Sequence, residues 1–577
     1  MPSYAIPSPT ATLPATPHDE LDRIVERLQG AKDRFAAISI DRRIYLLEQL
    51  VDGVLEVAED WVATAIDAKG LGAGSAACSE EWLGGPMTVL RNIRCLQKAL
   101  ADVRDHGAPR IPPGAIDERP DGRVTVRVFP DRFYDKILFA GFHAEVWMDR
   151  SITRENLANH QAKVYREGDR SGGVALVLGA GNVASIGPMD VLHKLFIENR
   201  VCVLKMNPVN EYLGPFLSQA MRCLVSEDWL EVVYGGADVG AHLVAHEGVD
   251  EIHITGSDAT HDAIVWGVGP EQAERKAKGT PLMTKPISSE LGNVTPVVVV
   301  PGRWSDAEIA FQAENVVSMV VNNASFNCNA AKLLVTSADW PQREQFLNRI
   351  KSMLAGFPPR KAYYPGARDR WSKFVEAHPK AEFLAHDDGV DVPWTFIGDL
   401  DSNAKEEVCF RREPFCGVLH EVPLRGHMAE DFLPAATQFC NEKVWGTLAI
   451  SILIHPHSRE AAGGEAALQR ALDELRYGSI AVNTWSAIIY GLSTTTWGAF
   501  PGHPLDDIQS GQGFVHNTYM FDRPWKSVLQ APFKISPKPP WFPTHRNAHR
   551  LAEAITRFEA HPSPIKLPLI ALTAALT

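Results

Sequence analysis

The chain predicts an α/β fold in which parallel sheets carry helices on both faces. Three observations lead there. Short apolar runs that do not alternate, such as Val174–Leu178 and Cys202–Lys205, have the pattern of strands buried on both faces. Segments with helical periodicity separate them, so strand and helix alternate from residue 173 to residue 255. A second alternation of the same kind runs from about residue 290 to residue 485. The 577 residues exceed what one hydrophobic core accommodates, so two or three domains are expected.

The elements follow in order. Residues 1–18, rich in proline, read as a disordered arm; they lack the basic and apolar regions of a signal peptide. Leu21, Ile24 and Leu28, then Ile44, Leu46, Leu47, Leu50, Val51, Val54 and Leu55, recur with helical spacing. Gly70, Gly72 and Gly74 break that pattern, and a second helical region covers roughly 80–105. Residues 107–122 form a Pro/Gly-rich linker before an alternating strand, Val124–Phe129. Strand Val174–Leu178, helix Ile186–Glu198 and strand Cys202–Lys205 make a βαβ unit. Strand Glu231–Tyr234, helix Asp238–Ala245 and strand Glu251–Thr255 repeat it. Residues 267–286, rich in Gly, Pro and Lys, read as a loop insertion. Beyond Asn517 prolines are frequent, with one helical stretch at Ala548–Glu559. Leu567–Thr577 is apolar but far short of the ~20 residues a spanning helix needs, so no membrane span is expected.

Composition narrows the function. Apolar content of 45% and charged content of 22% are those of a soluble globular protein. A net charge of −13 argues against nucleic acid and anionic membrane as main partners. The cysteines (Cys78, Cys95, Cys202, Cys223, Cys328, Cys409, Cys416, Cys440) form no CxxC pair, so no metal site is expected. Scattered thiols in a large chain suit a reducing compartment, and the cytoplasm is the expected location.

The richest stretch is Asn322–Thr336, NNASFNCNAAKLLVT. It sets Cys328 in a small polar turn between a helical run and a strand. Upstream, SSELGNVTPVVVV places Glu290 just before a buried-strand signal. A thiol and a carboxylate at strand edges, after βαβ units, suggest thiol-based oxidation of a carbonyl. Gly179-Ala180-Gly181-Asn182-Val183-Ala184 matches a dinucleotide fingerprint, but Lys205 occupies the place of its acidic residue. Asn182 then reads as a turn former or a side-chain amide donor. Thr255-Gly256-Ser257-Asp258 reads either as a pyrophosphate site at a helix N-terminus or as an ordinary cap. Glu413-Pro414-Phe415 alone reads as a solvated loop.

Taken together, these segments resemble the aldehyde dehydrogenase superfamily over roughly residues 20–515. VALVLGAGNVAS looks like the family's strand and asparagine turn, and VCVLKMNP like the strand ending in the adenosine-site lysine. VDEIHITGS is similar to the glycine–serine motif, SELGN to the glutamate motif and SFNCNAAKLLV to the nucleophile motif. REPFCGVL, YGSIAVNTW and SGQG resemble later motifs in family order. The resemblance implies a Rossmann-type cofactor domain (19–142 and 172–288), an oligomerisation hairpin (143–171) and an α/β catalytic domain (289–485). Residues 486–577 would be a C-terminal oligomerisation segment with an extension that wraps a neighbouring subunit.

The resemblance also assigns roles. Cys328 would be the nucleophile, Asn182 and the Cys328 backbone N–H the oxyanion donors, and Glu290 the base that activates water. Lys205, Gly256, Ser257, Gly292, Glu413 and Phe415 would contact NAD or NADP. Phe326 and Trp485, with Trp497 nearby, would face the substrate channel and favour an apolar aldehyde. The assembly would be a homodimer or homotetramer. Members that transfer the acyl group to coenzyme A generally lack the glutamate base, so Glu290 favours hydrolysis. The sequence departs from the pattern at Gly181 and Val183 beside Asn182, at Asn293, at Pro208 and at Cys416. Pro208 stands where an acid would repel a 2′-phosphate, which keeps NADP open beside NAD.

Overall fold

The computed structural model describes residues 13–72, 74–168 and 171–576. Two sheets organise it. The smaller runs Gly511–Gln512, Ile287–Glu290, Glu251–Thr255, Val174–Leu178, Val201–Lys205, Leu230–Val233, and its last five strands are parallel. The chain enters at Val174–Leu178, builds outward to Leu230–Val233, then returns to the other side. Strand order therefore reverses between Val174–Leu178 and Glu251–Thr255, and ligands of open parallel sheets bind beyond the carboxyl ends of strands at such a switch. The loops that leave these two strands carry Asn182 and Gly256-Ser257.

The larger sheet has eleven strands. Its parallel core repeats the same order, with Ser479–Val482, Ala449–Leu453, Pro296–Val299, Leu333–Ser337 and Val418–Leu424 side by side. Pro524–Gln530 extends that core in parallel with Ser479–Val482. His143–Met148 and Val124–Phe129 then add antiparallel strands.

Sequence dictates the ends of the elements. Ser39 caps Ile40–Ala68 by accepting the Arg42 N–H, and the buried Leu46, Leu47, Leu50, Val54 and Trp61 form its apolar face. Ser305 and Glu308 close a reciprocal capping box at the start of Asp306–Val321, the helix that leads to Cys328.

The structure revises several expectations. Residues 1–12 of the expected arm lie outside the described residues, whereas 13–17 are held in place. The Leu13 N–H donates to Glu211 and the Thr16 N–H to the Tyr234 carbonyl, at 3.0 Å each. The expected insertion at 267–286 contains a helix, Pro270–Lys278, with Pro270 in its first turn and Gly279 left-handed at its end. Among the described residues of the expected hairpin at 143–171, only His143–Met148 is a strand, and its partners are Val124–Phe129 and Pro524–Gln530. Residues 116–129, expected in the cofactor domain, pair into the larger sheet instead. The tail beyond Gln530 packs against its own chain. Helix Ala548–Ala560 packs on Cys78–Trp82 and Thr88–His106.

Candidate functional site

Cys328 sits in the turn between Asp306–Val321 and Leu333–Ser337. The approach to it is strained. Asn323, Ala324 and Ser325 hold φ of 51°, 53° and 67°, a left-handed run that non-glycine residues rarely adopt. Hydrogen bonds hold the run in place. The Asn323 N–H donates to Glu80 (2.8 Å), and the Asn323 side-chain amide donates to the Asn182 carbonyl (2.9 Å) and to Asn327 (3.0 Å). Lys69, buried and paired with Glu81 at 2.8 Å, donates to Asn323 (3.0 Å) and to the Asn182 carbonyl (3.2 Å). The asparagine loop and the cysteine loop are thereby tied into one piece.

The Cys328 thiol donates to Glu290 Oε1 at 3.2 Å. Glu290 ends its strand opposite Gly511. Burial raises its carboxyl pKa to about 7, partly offset by the neighbouring Trp497 indole; buried Asp190 adds to the rise and the thiol offsets some of it. Burial also pushes the Cys328 thiol well above its usual range, as does the adjacent Glu290 charge, while Lys332 works the other way. The resting pair is therefore a thiol bonded to a carboxylate whose pKa lies near neutrality. Cys328, Glu290 and Asn182 all line one cavity of about 590 Å³, together with Trp485 and Tyr490.

Asn182 is otherwise engaged than expected. Its amide donates to the Phe326 carbonyl at 2.9 Å, which leaves one of its two N–H bonds for a ligand. Trp485 reaches the cavity wall and donates to the Asn329 carbonyl at 2.8 Å. Phe326 does not face the channel as expected. It is 1% exposed and packs against Tyr363, Tyr364 and Phe415 with ring centroids 5.0–5.8 Å away. Trp497 is likewise wholly buried, behind Glu290.

The expected cofactor residues fall into two groups. At the switch point of the smaller sheet, Lys205 ends its strand. Among the described residues its ammonium has no carboxylate within ion-pair distance. Gly256 and Ser257 follow the neighbouring strand, and Ser257 accepts the Thr260 N–H at 3.1 Å, so it does cap helix Asp258–Trp266. Glu413, Gly292 and Phe415 are grouped nearer the cysteine loop. Glu413 Oε1 forms no hydrogen bond among the described residues and pairs with the fully buried Lys332 ammonium at 3.3 Å. A Cβ on residue 292 would lie 2.3 Å from Glu413 Oε2, so a side chain there would displace the Glu413 carboxylate. A free cation at a strand end, a helix N-terminus and an under-bonded buried carboxylate fit a dinucleotide's phosphates and ribose hydroxyls.

Sequence reading missed Lys69, Lys332, the Asp190–His253 pair (3.4 Å) and the tail residues on the cavity wall. Lys332 did carry a signal, a lysine within an apolar strand run. The others are too far apart along the chain for spacing to connect them.

Comparison with known proteins agrees with this architecture. Residues 137–366 match the aldehyde dehydrogenase family. The chain is 29% identical over 167 residues to an N-succinylglutamate 5-semialdehyde dehydrogenase of Novosphingobium aromaticivorans. That alignment spans 29% of this chain and 32% of the relative, so it covers about a third of the relative's length. In three dimensions the chain resembles the NADP-complexed glyceraldehyde-3-phosphate dehydrogenase of Methanocaldococcus jannaschii. The TM-score is 0.59 at 14% identity, covering 92% of this chain and 99% of the other. An NAD-dependent aldehyde dehydrogenase from Sinorhizobium meliloti gives a TM-score of 0.56 at 16% identity, covering 92% and 90%. The motifs, the paired sheets and the family match lead to one conclusion: residues 137–366 are similar to the aldehyde dehydrogenase family, and the chain shares the fold of aldehyde dehydrogenase structures.

Proposed function

We propose that this protein oxidises an apolar aldehyde to its carboxylic acid, with NAD or NADP as acceptor, through a covalent intermediate on Cys328. The observation that carries the reading is the Cys328 thiol donating to Glu290 at 3.2 Å on the wall of a cavity that Asn182 also lines. Glu290 takes the thiol proton as sulfur attacks the aldehyde carbon, and a C–S bond forms. The Asn182 amide and the Cys328 N–H stabilise the charge that develops on oxygen. The bound nicotinamide supplies the acceptor for the hydride that leaves this carbon. The carbonyl then re-forms as a thioester. Glu290 releases that first proton to solvent and then deprotonates water, which attacks the thioester; the C–S bond breaks, the leaving sulfur takes a proton back from Glu290, and the acid departs. Lys205, Gly256, Ser257, Gly292, Glu413 and Phe415 hold the dinucleotide in this reading.

An apolar substrate is favoured over a dicarboxylic semialdehyde because the cations on the cavity wall are already committed. Lys69 pairs with Glu81, Arg91 with Asp135 and Glu559, and Lys538 with Glu314. Lys534 remains only as an exposed rim residue. The proposed assembly is a homodimer or homotetramer, checked by light scattering. The test of the reaction is NAD(P)H absorbance with octanal, without coenzyme A. Acid product and its loss in Cys328→Ala are expected; retained activity in that variant, or a strict need for coenzyme A, overturns the reading.

A further inference from the structure

The cavity at Cys328 has a second wall that family motifs do not supply. Pro532, Trp541, Leu551, Ile555, Ile570 and Ala574 all line it, and all come from the tail beyond the last strand, Pro524–Gln530. One continuous cavity is therefore bounded by the thiol and by the C-terminal helix Leu567–Ala575.

The tail is clamped in position. Glu559, 3% exposed, pairs with Arg91 at 3.0 Å and Arg94 at 2.6 Å, and Arg91 also pairs with Asp135 at 3.1 Å. Burial alone would lower the Arg91 pKa, but the two carboxylates raise it above its ordinary value. The Phe558 ring meets Tyr134 edge-on at 5.2 Å. Nearer the strand, Lys538 pairs with Glu314 at 3.1 Å. Buried ion pairs of this kind do more to fix a geometry than to add net stability. A volume of about 590 Å³ lies in the range that holds a ligand of many heavy atoms, far more than a three-carbon aldehyde fills.

We propose that residues 531–576 form the distal half of the aldehyde site and make the enzyme selective for extended alkyl aldehydes over short or anionic ones. The proposal rests on the reaction given above and names its substrate class. The aldehyde carbon sits at Cys328 while the alkyl chain runs past Trp485 and Tyr490 to the tail. Each buried methylene then contributes to kcat/KM for long substrates and nothing for short ones.

The experiment uses the full chain. Ala574→Trp and Ile555→Trp place bulk at the distal wall, and Leu569→Trp, on the exposed side of the same helix, is the control. Two readouts are taken, kcat/KM for propanal and decanal, and decanoate binding by calorimetry without turnover. Circular dichroism confirms that each variant is folded. The expected result is a decanal kcat/KM lowered by about tenfold or more in the two wall variants, with propanal within about twofold. Decanoate binding weakens in parallel, and Leu569→Trp matches the parent. An equal loss for both aldehydes, or no loss for either, overturns the proposal. Failure of the parent to bind decanoate also overturns it. If the parent oxidises no aldehyde yet binds decanoate in an Ala574-sensitive manner, the reaction falls and the distal site stands.

Discussion

The chemistry of single residues is set by burial. Glu290 has to be ionised to accept a proton, and burial raises its pKa to about 7. Below that pH the carboxyl is protonated and cannot act as a base. We expect kcat/KM to fall about tenfold per pH unit on the acid side of pH 7, since the thiol and carboxylate titrate as a coupled pair. Glu290→Gln should remove that limb and lower both the rate of the NAD(P)H burst and the steady rate, since one carboxylate takes the thiol proton and activates water; a steady rate equal to the parent's contradicts both roles. Asn182 supplies a sharper test of the oxyanion site. Its amide bonds the Phe326 carbonyl, so Asn182→Ala should lower kcat about 10²-fold or more if the remaining N–H meets the oxyanion. A change below about threefold would make the side chain a loop tie only. Cys328, Glu290 and Asn182 were legible in the sequence because each stands in a short motif. Phe326 was misread because a motif gives position in the chain but not side-chain direction: with three left-handed residues before it, the turn aims its ring into an aromatic cluster.

Elements place these residues, and their edges are where the geometry is demanding. Gly511 pairs with Glu290 at φ 114°, and a Cβ there would lie 2.1 Å from the Ser289 carbonyl oxygen. Gly511→Ala should therefore push the short strand Gly511–Gln512 off Ile287–Glu290. We expect a loss of about 2 kcal/mol in unfolding free energy and a larger proportional loss of activity than of Tm. An unchanged activity would show that Glu290 is positioned without that strand. The strands Val174–Leu178 and Glu251–Thr255 could be read to the residue, the first as an uninterrupted apolar run and the second as isoleucines alternating with polar residues. The helix Pro270–Lys278 was passed over because its surface is almost wholly polar and it buries none of its residues. Its proline start and glycine stop were nevertheless present.

At the scale of the whole molecule, the two sheets repeat one strand order and meet where Glu290, from the smaller, faces Cys328, from the loop entering the larger. The sequence revealed the alternation but not this shared order, because strand neighbours are chosen by long-range packing. The tail was legible only as an extension; its helix Ala548–Ala560 was visible, but what it covers depends on the Arg91–Glu559 pairing of residues far apart in the chain. That pairing couples the tail to the catalytic cavity. Glu559→Ala leaves Arg91 and Arg94 short of a buried partner, a change that costs about 3 kcal/mol or more. Decanoate spanning from Cys328 to the tail should in turn stabilise the native parent by about 2.7 kcal/mol at a hundred times its Kd. Hydrogen exchange gives the spatial readout. Amides in 548–560 and in 322–330 should both be protected by decanoate in the parent. In Ala574→Trp, protection should be lost at both segments, since one ligand connects them. Protection confined to 322–330 would mean that the chain ends before the tail, and the tail would then be a cover over the cavity rather than part of its binding wall.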